Sequence, residues 1–274
     1  MITAQKLTPT VGALVEGADP DLLLHDDVVP TWTLEALEVH GVLVFRHLHL
    51  DDAAQVAFSR RLGAVEKFGR GGLPEIFRVT LDPARNPVAD YLRGTLWWHI
   101  DGCTDAIPIM ATMLSAHAVA EHGGETEFAS SYQAYGDLSD EERARFETVR
   151  VVHTIEATMR LHTPNPTPEQ VALWRKRPEK VHPLVWTHRS GRKSLVLGAT
   201  TDHVVGMGAD ESRAFLDDLL ARATVPERVY RHEWEVGDLV IWDNRGVLHR
   251  AAPYDPSSPR DMHRTTFTGD EPIQ

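Results

Sequence analysis

Apolar and polar positions along the chain follow two periods. Gly41–Arg46 (GVLVFR) and Leu239–Trp242 (LVIW) are short, nearly unbroken apolar runs, the second entered through the turn Val236-Gly237-Asp238; both predict buried strands. Pro183–His188 and Ser194–Leu197 flank Arg189-Ser190-Gly191-Arg192-Lys193, which predicts a hairpin turning at the glycine. Met262–Thr268, rich in Thr and Phe, predicts a late strand. The helical period runs over Asp51–Leu62, where Ala54, Ala57, Phe58 and Leu62 share a face and Gly63 can end the element. Ser139 and Glu142 form a capping box ahead of Arg143–Phe146, and Thr167, Pro168 and Gln170 mark another helix start. Asp210 precedes a helix with a core stripe of Phe215, Leu216, Leu219, Leu220 and Ala223. Strands punctuated by turns, with helices inserted or set outside them, predict an α+β domain around a β-sandwich or barrel. A doubly wound nucleotide fold fits poorly. No strand leads into a GxGxxG helix entry, and Gly69-Arg70-Gly71-Gly72 lacks the Gly-Lys-Ser/Thr ending of a P-loop.

Composition narrows the function more than the fold. The length of 274 residues allows one or two domains; the chain contains no repeat, low-complexity tract or obvious linker, which leaves open one elaborated domain over residues 1–274. A net charge of −12 disfavours a nucleic-acid surface, which needs a basic stripe, yet a local pair of arginines can still hold a small anion. No apolar run approaches the ~18–20 residues that cross a bilayer. The start, Met1-Ile2-Thr3-Ala4-Gln5-Lys6, has neither the charged nor the apolar region of a secretion signal, so a cytoplasmic protein is expected. Cys103 is the only cysteine, which excludes an internal disulfide and any multi-cysteine metal site. Histidine, with 15 residues, is the abundant chemistry-bearing type and the commonest metal ligand.

Three H-x-D patterns occur, at His25/Asp27, His49/Asp51 and His99/Asp101, and about two such matches are expected by chance. Context separates them. His25 lies in a polar tract, and Asp51 serves better as a helix N-cap. His99 and Asp101 follow Gly94-Thr95-Leu96-Trp97-Trp98, an apolar approach that can wall a pocket from water. In an extended segment, side chains two residues apart point to one face, so both can reach one ion. The alternative is a hydrogen-bonded pair with no metal. Later, the strand Leu239–Trp242 ends in an Asp-Asn turn, and His249 follows where the chain re-enters the sheet. Two imidazoles and a carboxylate on one face of an ion leave coordination positions open, as in the facial triad of non-haem Fe(II) oxygenases. A catalytic His₂Asp zinc site satisfies the same donors. Arg260 and Arg264 lie four residues apart and would face one way on the late strand. Inward arginines are costly without an anion, so the pair suggests recognition of a carboxylate or sulfonate. The competing reading pairs them with Asp255, Asp261, Asp270 or solvent.

In order and spacing, these pieces resemble the taurine/2-oxoglutarate dioxygenase family, which also includes 2,4-dichlorophenoxyacetate dioxygenases and alkylsulfatases. The resemblance runs from Gly41 to Pro272. It comprises the strand and helix of Gly41–Gly63, W-H-I-D at Trp98–Asp101, and G-G-E-T at Gly123–Thr126. It continues through H-P-L-V-W-T-H-R-S-G-R-K-S-L at His182–Leu195, W-D-N-R at Trp242–Arg245 with His249, and M-H-R-T-T-F-T-G-D-E-P at Met262–Pro272. The resemblance implies a double-stranded β-helix (a cupin-like jelly roll) with flanking helices and the metal at its mouth. It implies Fe(II) held by His99, Asp101 and His249, with 2-oxoglutarate as co-substrate and O₂ as oxidant. Arg260 and Thr126 would bind the distal carboxylate of 2-oxoglutarate, and Arg264 the anionic end of the substrate. Thr95 and the backbone at Gly102 would line the substrate or co-substrate pocket. The family's oligomers imply a homodimer or homotetramer. Where the taurine enzyme holds taurine with a His and a Tyr, this chain reads Phe68-Gly69-Arg70-Gly71-Gly72-Leu73, so the resemblance does not extend to taurine itself.

The implied reaction hydroxylates a small anionic organic substrate (a sulfonate, sulfate ester, aryloxy or other carboxylic acid) while 2-oxoglutarate becomes succinate and CO₂. Asp101 as third ligand argues against a halogenase. Two other outcomes fit the same residues: desaturation or isonitrile-type oxidation of an amino-acid-derived acid, and a non-catalytic sensor of 2-oxoglutarate. Trp97, Trp98, Met113, Phe128 and Met159 are candidates for an apolar wall around the reacting C–H, with ordinary core as the alternative. His203 is a candidate at the pocket border, and Cys103 reads as a small buried hydrophobe. His263, alternating with Met262 and Arg264, should point away from the arginines.

Overall fold

The computed structural model describes residues 1–69 and 73–274. Its largest sheet runs, edge to edge, Thr3–Lys6, Ala13–Glu16, Val42–Phe45, Leu239–Asp243, Ala111–Ala118, Asp261–Phe267 and Phe77–Val79. All neighbours are antiparallel except Ala13–Glu16 beside Val42–Phe45. A second sheet orders Tyr230–His232, Thr126–Ser130 and Val247–Ala251. Lys180–Pro183, Arg150–His153 and Thr201–Val204 form a third, and the predicted hairpin is the pair Val185–Thr187 with Lys193–Leu195, Gly191 having φ +84° at its turn.

Alternation along the strands divides the interior into layers. Val42, Val44, Leu114, Val240, Trp242 and Met262 of the large sheet meet Phe128 and Val247 of the second sheet between the two. Their neighbours Leu43, Phe45, Met113, Leu239 and Ile241 turn to the other face, under helices Pro20–His25, Val29–His40 and Asp52–Leu62. Leu239–Asp243 is buried along its whole length, as a strand covered on both faces must be. On the far side of the second sheet, Ala129 and Leu248 pack with Leu184, Trp186 and helix Ala209–Ala223. The result is the jelly-roll sandwich with flanking helices. Among the described residues, no helix is long and apolar enough to cross a membrane.

Both capping boxes form, at Ser139/Glu142 and Thr167/Gln170. Two helix expectations need correction. Gly208, not Asp210, caps Ala209–Ala223, and Asp210 sits in its first turn, where its charge suits the helix dipole. In Asp52–Leu62 the buried face is Gln55, Val56, Phe58, Ser59 and Leu62, with Ala57 exposed. Hydrogen bonding turned that face. The Ser115 hydroxyl donates to Gln55 Oε1 at 2.6 Å, Gln55 Nε2 donates to the His263 carbonyl at 3.0 Å, and the Ser59 and Thr265 hydroxyls bond at 2.7 Å. A polar seam thus joins the helix to the back of strand Asp261–Phe267, which apolar periodicity alone does not anticipate.

Gln55→Leu would remove the 2.6 Å acceptor of the Ser115 hydroxyl and the 3.0 Å donor to the His263 carbonyl, leaving these two only their longer 3.4 Å contact with each other. A loss of about 1–3 kcal/mol is expected, read as a lower midpoint in urea unfolding with unchanged slope. An unshifted midpoint would show that the seam is energetically idle.

Candidate active site

Backbone pairing brings the first histidine to the second. The His99 N–H donates to the His249 carbonyl at 3.0 Å and the His249 N–H returns to the His99 carbonyl at 2.9 Å, an isolated antiparallel bridge. Val247 and His249 face the sandwich interior because Leu248 faces out. The bridged imidazoles lie with centroids 4.2 Å apart. Asp101, opening a turn two residues on, places its carboxylate oxygens 3.6 Å from His99 Nε2 and 3.6 Å from His249 Nε2. Ligand atoms of all three lie within 4.8 Å of one another.

The electrostatics suit a cation. His99 Nδ1 donates to the Trp97 carbonyl at 2.8 Å, which leaves Nε2 free. Burial opposes ionisation of Asp101, but the facing imidazoles of His249 and His99 and the Arg264 guanidinium outweigh it and hold the carboxyl well below the usual range. Burial, then the neighbouring His99, push His249 below its ordinary value, favouring the neutral ring that ligates metals. Two imidazoles and an ionised carboxylate on one face form a donor set that fits Fe(II) with positions left open.

A one-way chain of hydrogen bonds approaches Asp101 from behind. The Trp242 indole N–H, which can only donate, meets Asn244 Oδ1 at 3.1 Å. That fixes the amide, whose Nδ2 donates to the Thr112 hydroxyl at 2.9 Å, and Thr112 in turn donates to Asp101 Oδ2 at 3.4 Å. Sequence reading found Trp242 and Asn244 only as members of a motif and missed Thr112, because nothing local marks a Thr as the neighbour of a distant carboxylate.

Two cavities share His99, Asp101 and Arg264, and only the narrower reaches His249 and Arg260. The narrower one is lined by Thr126, Tyr254 and Arg260 beside His99, Asp101 and His249. Arg260 is 2% exposed, its guanidinium lies 4.8 Å from the centre of the Tyr254 ring, and Nη2 donates to the Gly124 carbonyl at 3.2 Å. Glu125, the carboxylate whose charge reaches it, is already paired with Arg231 at 2.9 Å. Gly124 makes this burial feasible: it has φ +78°, and a Cβ there would stand 2.9 Å from Arg260 Nε. Thr126 Oγ1 accepts the indole N–H of Trp234 at 2.9 Å, so its own proton is free to point into the cavity. Trp234 and Tyr254 carry no sequence signal that would have singled them out.

The wider cavity, of about 470 Å³, lies in the range of small-molecule pockets. Arg264 stands at the junction, lining both cavities, with Nη1 3.8 Å from Asp101 Oδ2, its guanidinium 4.8 Å from the centre of Phe77, and a buried Nε without a hydrogen-bond partner. Thr95 also lines both, in the short 3₁₀ helix Tyr91–Leu96, its hydroxyl donating to the Leu92 carbonyl at 2.7 Å. Gly102 lines the wider one with φ +83°, and a Cβ there would press on backbone atoms of Pro108 and Ile109 at 3.0 Å.

The apolar wall differs from the residues singled out in the sequence. Trp97 is 41% exposed, while Trp98, Met113, Phe128 and Met159 belong to the packed interior, and none of the five lines either cavity. Phe68, Phe77, Tyr91, Ile109 and Ile155 stand there instead, drawn from segments whose meeting no local pattern announces. His203 lies on the strand Thr201–Val204, bonded to Asp202 at 2.6 Å, and lines neither cavity. Arg70 lies outside the described residues. Cys103 lines the wider cavity, but burial pushes its thiol up to about 12, so it remains a protonated, inert wall group.

Thr112→Val keeps the shape and removes the donor to Asp101. It is expected to weaken divalent-metal affinity by about 10–100-fold, and to cost about 1–3 kcal/mol of stability because the buried Asn244 amide loses its acceptor. Equilibrium titration with Mn(II) checks this; unchanged affinity would detach the hydrogen-bond chain from the site.

Comparison with known proteins agrees with the geometry. The family model for taurine catabolism dioxygenase TauD, TfdA family, matches residues 3–266. The chain is 35% identical to the alpha-ketoglutarate-dependent 2,4-dichlorophenoxyacetate dioxygenase of Cupriavidus pinatubonensis, over 98% of each chain. It is 32% identical to the (S)-phenoxypropionate/alpha-ketoglutarate-dioxygenase of Sphingobium herbicidovorans, covering 96% of this chain and 94% of that one. Among solved structures it is similar to AAD-2 in complex with Mn(II) and N-oxalylglycine, with a TM-score of 0.83, 31% identity and 100% of both chains covered. With its jelly-roll core and the cofactors Fe(II), 2-oxoglutarate and O₂, this dioxygenase belongs to the taurine catabolism dioxygenase TauD, TfdA family.

Proposed function

We propose that the chain hydroxylates a small organic anion with an apolar or aromatic body, of the aryloxy acid, sulfate ester or sulfonate classes, and that His99, Asp101 and His249 hold the iron. The observation that carries this reading is a pair of cavities that share His99, Asp101 and Arg264, the narrower also reaching His249 and the buried Arg260, which has no carboxylate of its own. Fe(II), when bound with 2-oxoglutarate, supplies the activation of O₂ that hydroxylates a C–H bond and yields succinate and CO₂.

The protein's part is positioning and exclusion of water. Arg260 offers a desolvated planar fork to the distal carboxylate of 2-oxoglutarate, and its burial strengthens that attraction. Thr126, turned by Trp234, donates its hydroxyl proton to the same carboxylate. Arg264 takes the substrate's anionic end where the two cavities join, and Phe68, Phe77 and Tyr91 pack its body. Thr95 and Gly102 shape the wall, the glycine letting the backbone pass close. Holding the substrate's C–H toward the iron position while apolar side chains exclude water is the catalytic contribution. The 2,4-dichlorophenoxyacetate and phenoxypropionate relatives support an aryloxy acid in particular.

The same reading takes residues 1–274 as one dioxygenase domain, supported by the family match over 3–266, and places it in the cytoplasm, where a lone buried thiol is at home. It also takes the chain as a homo-oligomer, dimer or tetramer, which light scattering tests.

Aerobic succinate release with Fe(II) and ascorbate, screened over aryloxyacids, sulfate esters, sulfonates and amino-acid derivatives, is expected to rise with one of the anion classes and to vanish in His99→Ala. Arg260→Ala is expected to raise KM for 2-oxoglutarate by about 10–100-fold, and Arg264→Ala to raise KM for the substrate by a similar factor, each leaving the other constant nearly unmoved. Ligand binding without succinate would make the chain a sensor. An Arg264→Ala enzyme with unchanged substrate KM would remove the anion anchor.

A further inference from the structure

A second gathering of metal-binding side chains sits on the opposite face of the strand that carries Arg264. His263 faces the helix Asp52–Leu62, while Met262 lies in the sandwich interior. His117 arrives through an irregularity in the ladder: Asp261 pairs with Ala118 and Met262 with Ala116, so His117 is the extra residue of a bulge. The two imidazoles stack with centroids 3.7 Å apart. Asp52, the first residue of the helix, closes the group, with Oδ1 2.5 Å from His263 Nδ1 and 3.8 Å from His117 Nε2. Ligand atoms of Asp52, His117 and His263 lie within 4.8 Å of one another, the measure that His99, Asp101 and His249 also meet.

Unsatisfied atoms give an independent indication. His117 Nε2, His263 Nε2 and Asp261 Oδ1 are all buried without a hydrogen-bond partner. The His263 side chain is 4% exposed, and its Nε2 stands 3.7 Å from Asp261 Oδ1. Buried polar atoms without partners are rare, and several in one place point to an absent ion or water. Water would bridge some of them, but two imidazoles beside two carboxylates form a donor set that prefers a cation. Burial, then the neighbouring His263, lower the proton affinity of His117, which keeps that ring available as a neutral ligand.

We propose that His117, His263 and Asp52 form a second divalent-cation site, separate from the iron site, for an ion of the class that imidazole-rich sets select, Zn(II), Ni(II) or Cu(II). Binding replaces the hydrogen bond between His263 Nδ1 and Asp52 Oδ1. Asp52, with its side chain 37% exposed, has room to draw back. The separation needed is roughly 3.3 Å, that of ligands around a small ion. Asp261 adds a further negative charge beside His263. The ion ties the N-terminus of the helix to two strands of the large sheet, so its effect is on stability rather than on the oxidation chemistry.

The test uses the full chain carrying His99→Ala and His249→Ala, which removes the iron ligands. Titrated with Zn(II), it is expected to bind one ion tighter than ~10 μM and to gain melting temperature in proportion to ligand excess. Adding His117→Ala, or separately Asp52→Ala, both at partly exposed positions, should weaken that binding by at least ~10-fold and abolish the thermal gain. In the wild-type background His117→Ala should keep succinate release. No Zn(II) binding by the chain lacking the iron ligands, or binding indifferent to His117→Ala and Asp52→Ala, would overturn the proposal without touching the assignment of the iron site.

Discussion

One pair of backbone hydrogen bonds holds the chemistry together: the antiparallel bridge between His99 and His249. The two residues come from distant parts of the chain, one from a segment outside the main strands and one from the second sheet. Without the bridge, two imidazoles would have to be gathered by side-chain packing alone, at a cost in conformational entropy. With it, the backbone fixes the ring separation and Asp101, two residues on, can only approach from one side. The polarised chain from Trp242 through Asn244 and Thr112 then fixes the carboxylate from the other direction. A preorganised anion-and-imidazole face results before any ion arrives.

The strand Asp261–Phe267 shows how one element serves two sides. Arg264 joins the cavities between the sheets, while His263 and Thr265 engage a helix behind them. Alternation makes this division unavoidable, because every inward residue has outward neighbours. His263 and Thr265 make their part of the helix–sheet contact a hydrogen-bonded seam, set beside the apolar packing of Phe267 on Phe58 and Leu62.

Much of this was legible in the residues, for identifiable reasons. Strands such as Val42–Phe45 and Leu239–Asp243 are apolar along their length because both faces are covered, and capping boxes report helix starts through local bonds. The gathering of His99, Asp101 and His249 was foreshadowed by the apolar approach to the first two and the strand-and-turn setting of the third. What stayed hidden depends on contacts between remote segments. Ala57 was expected inside, but Gln55 and Ser59 took that face because Ser115, His263 and Thr265 offered partners. Thr112, Trp234 and Tyr254 matter only through what folding sets beside them. His117 owes its place to a bulge, and bulges leave no mark in a hydrophobicity pattern.

The wall of the wider cavity has a consequence for how such proteins diverge. Phe68, Phe77 and Tyr91 come from a loop, a short edge strand and a 3₁₀ turn at the sheet margin, whereas His249, Thr126 and Asp101's supporting Thr112 rest on the paired strands within. Replacements at the margin can therefore remodel the pocket without disturbing the register of those strands. The shape and polarity of the wider cavity can thus be changed by a few peripheral side chains while His99, Asp101 and His249 keep their places.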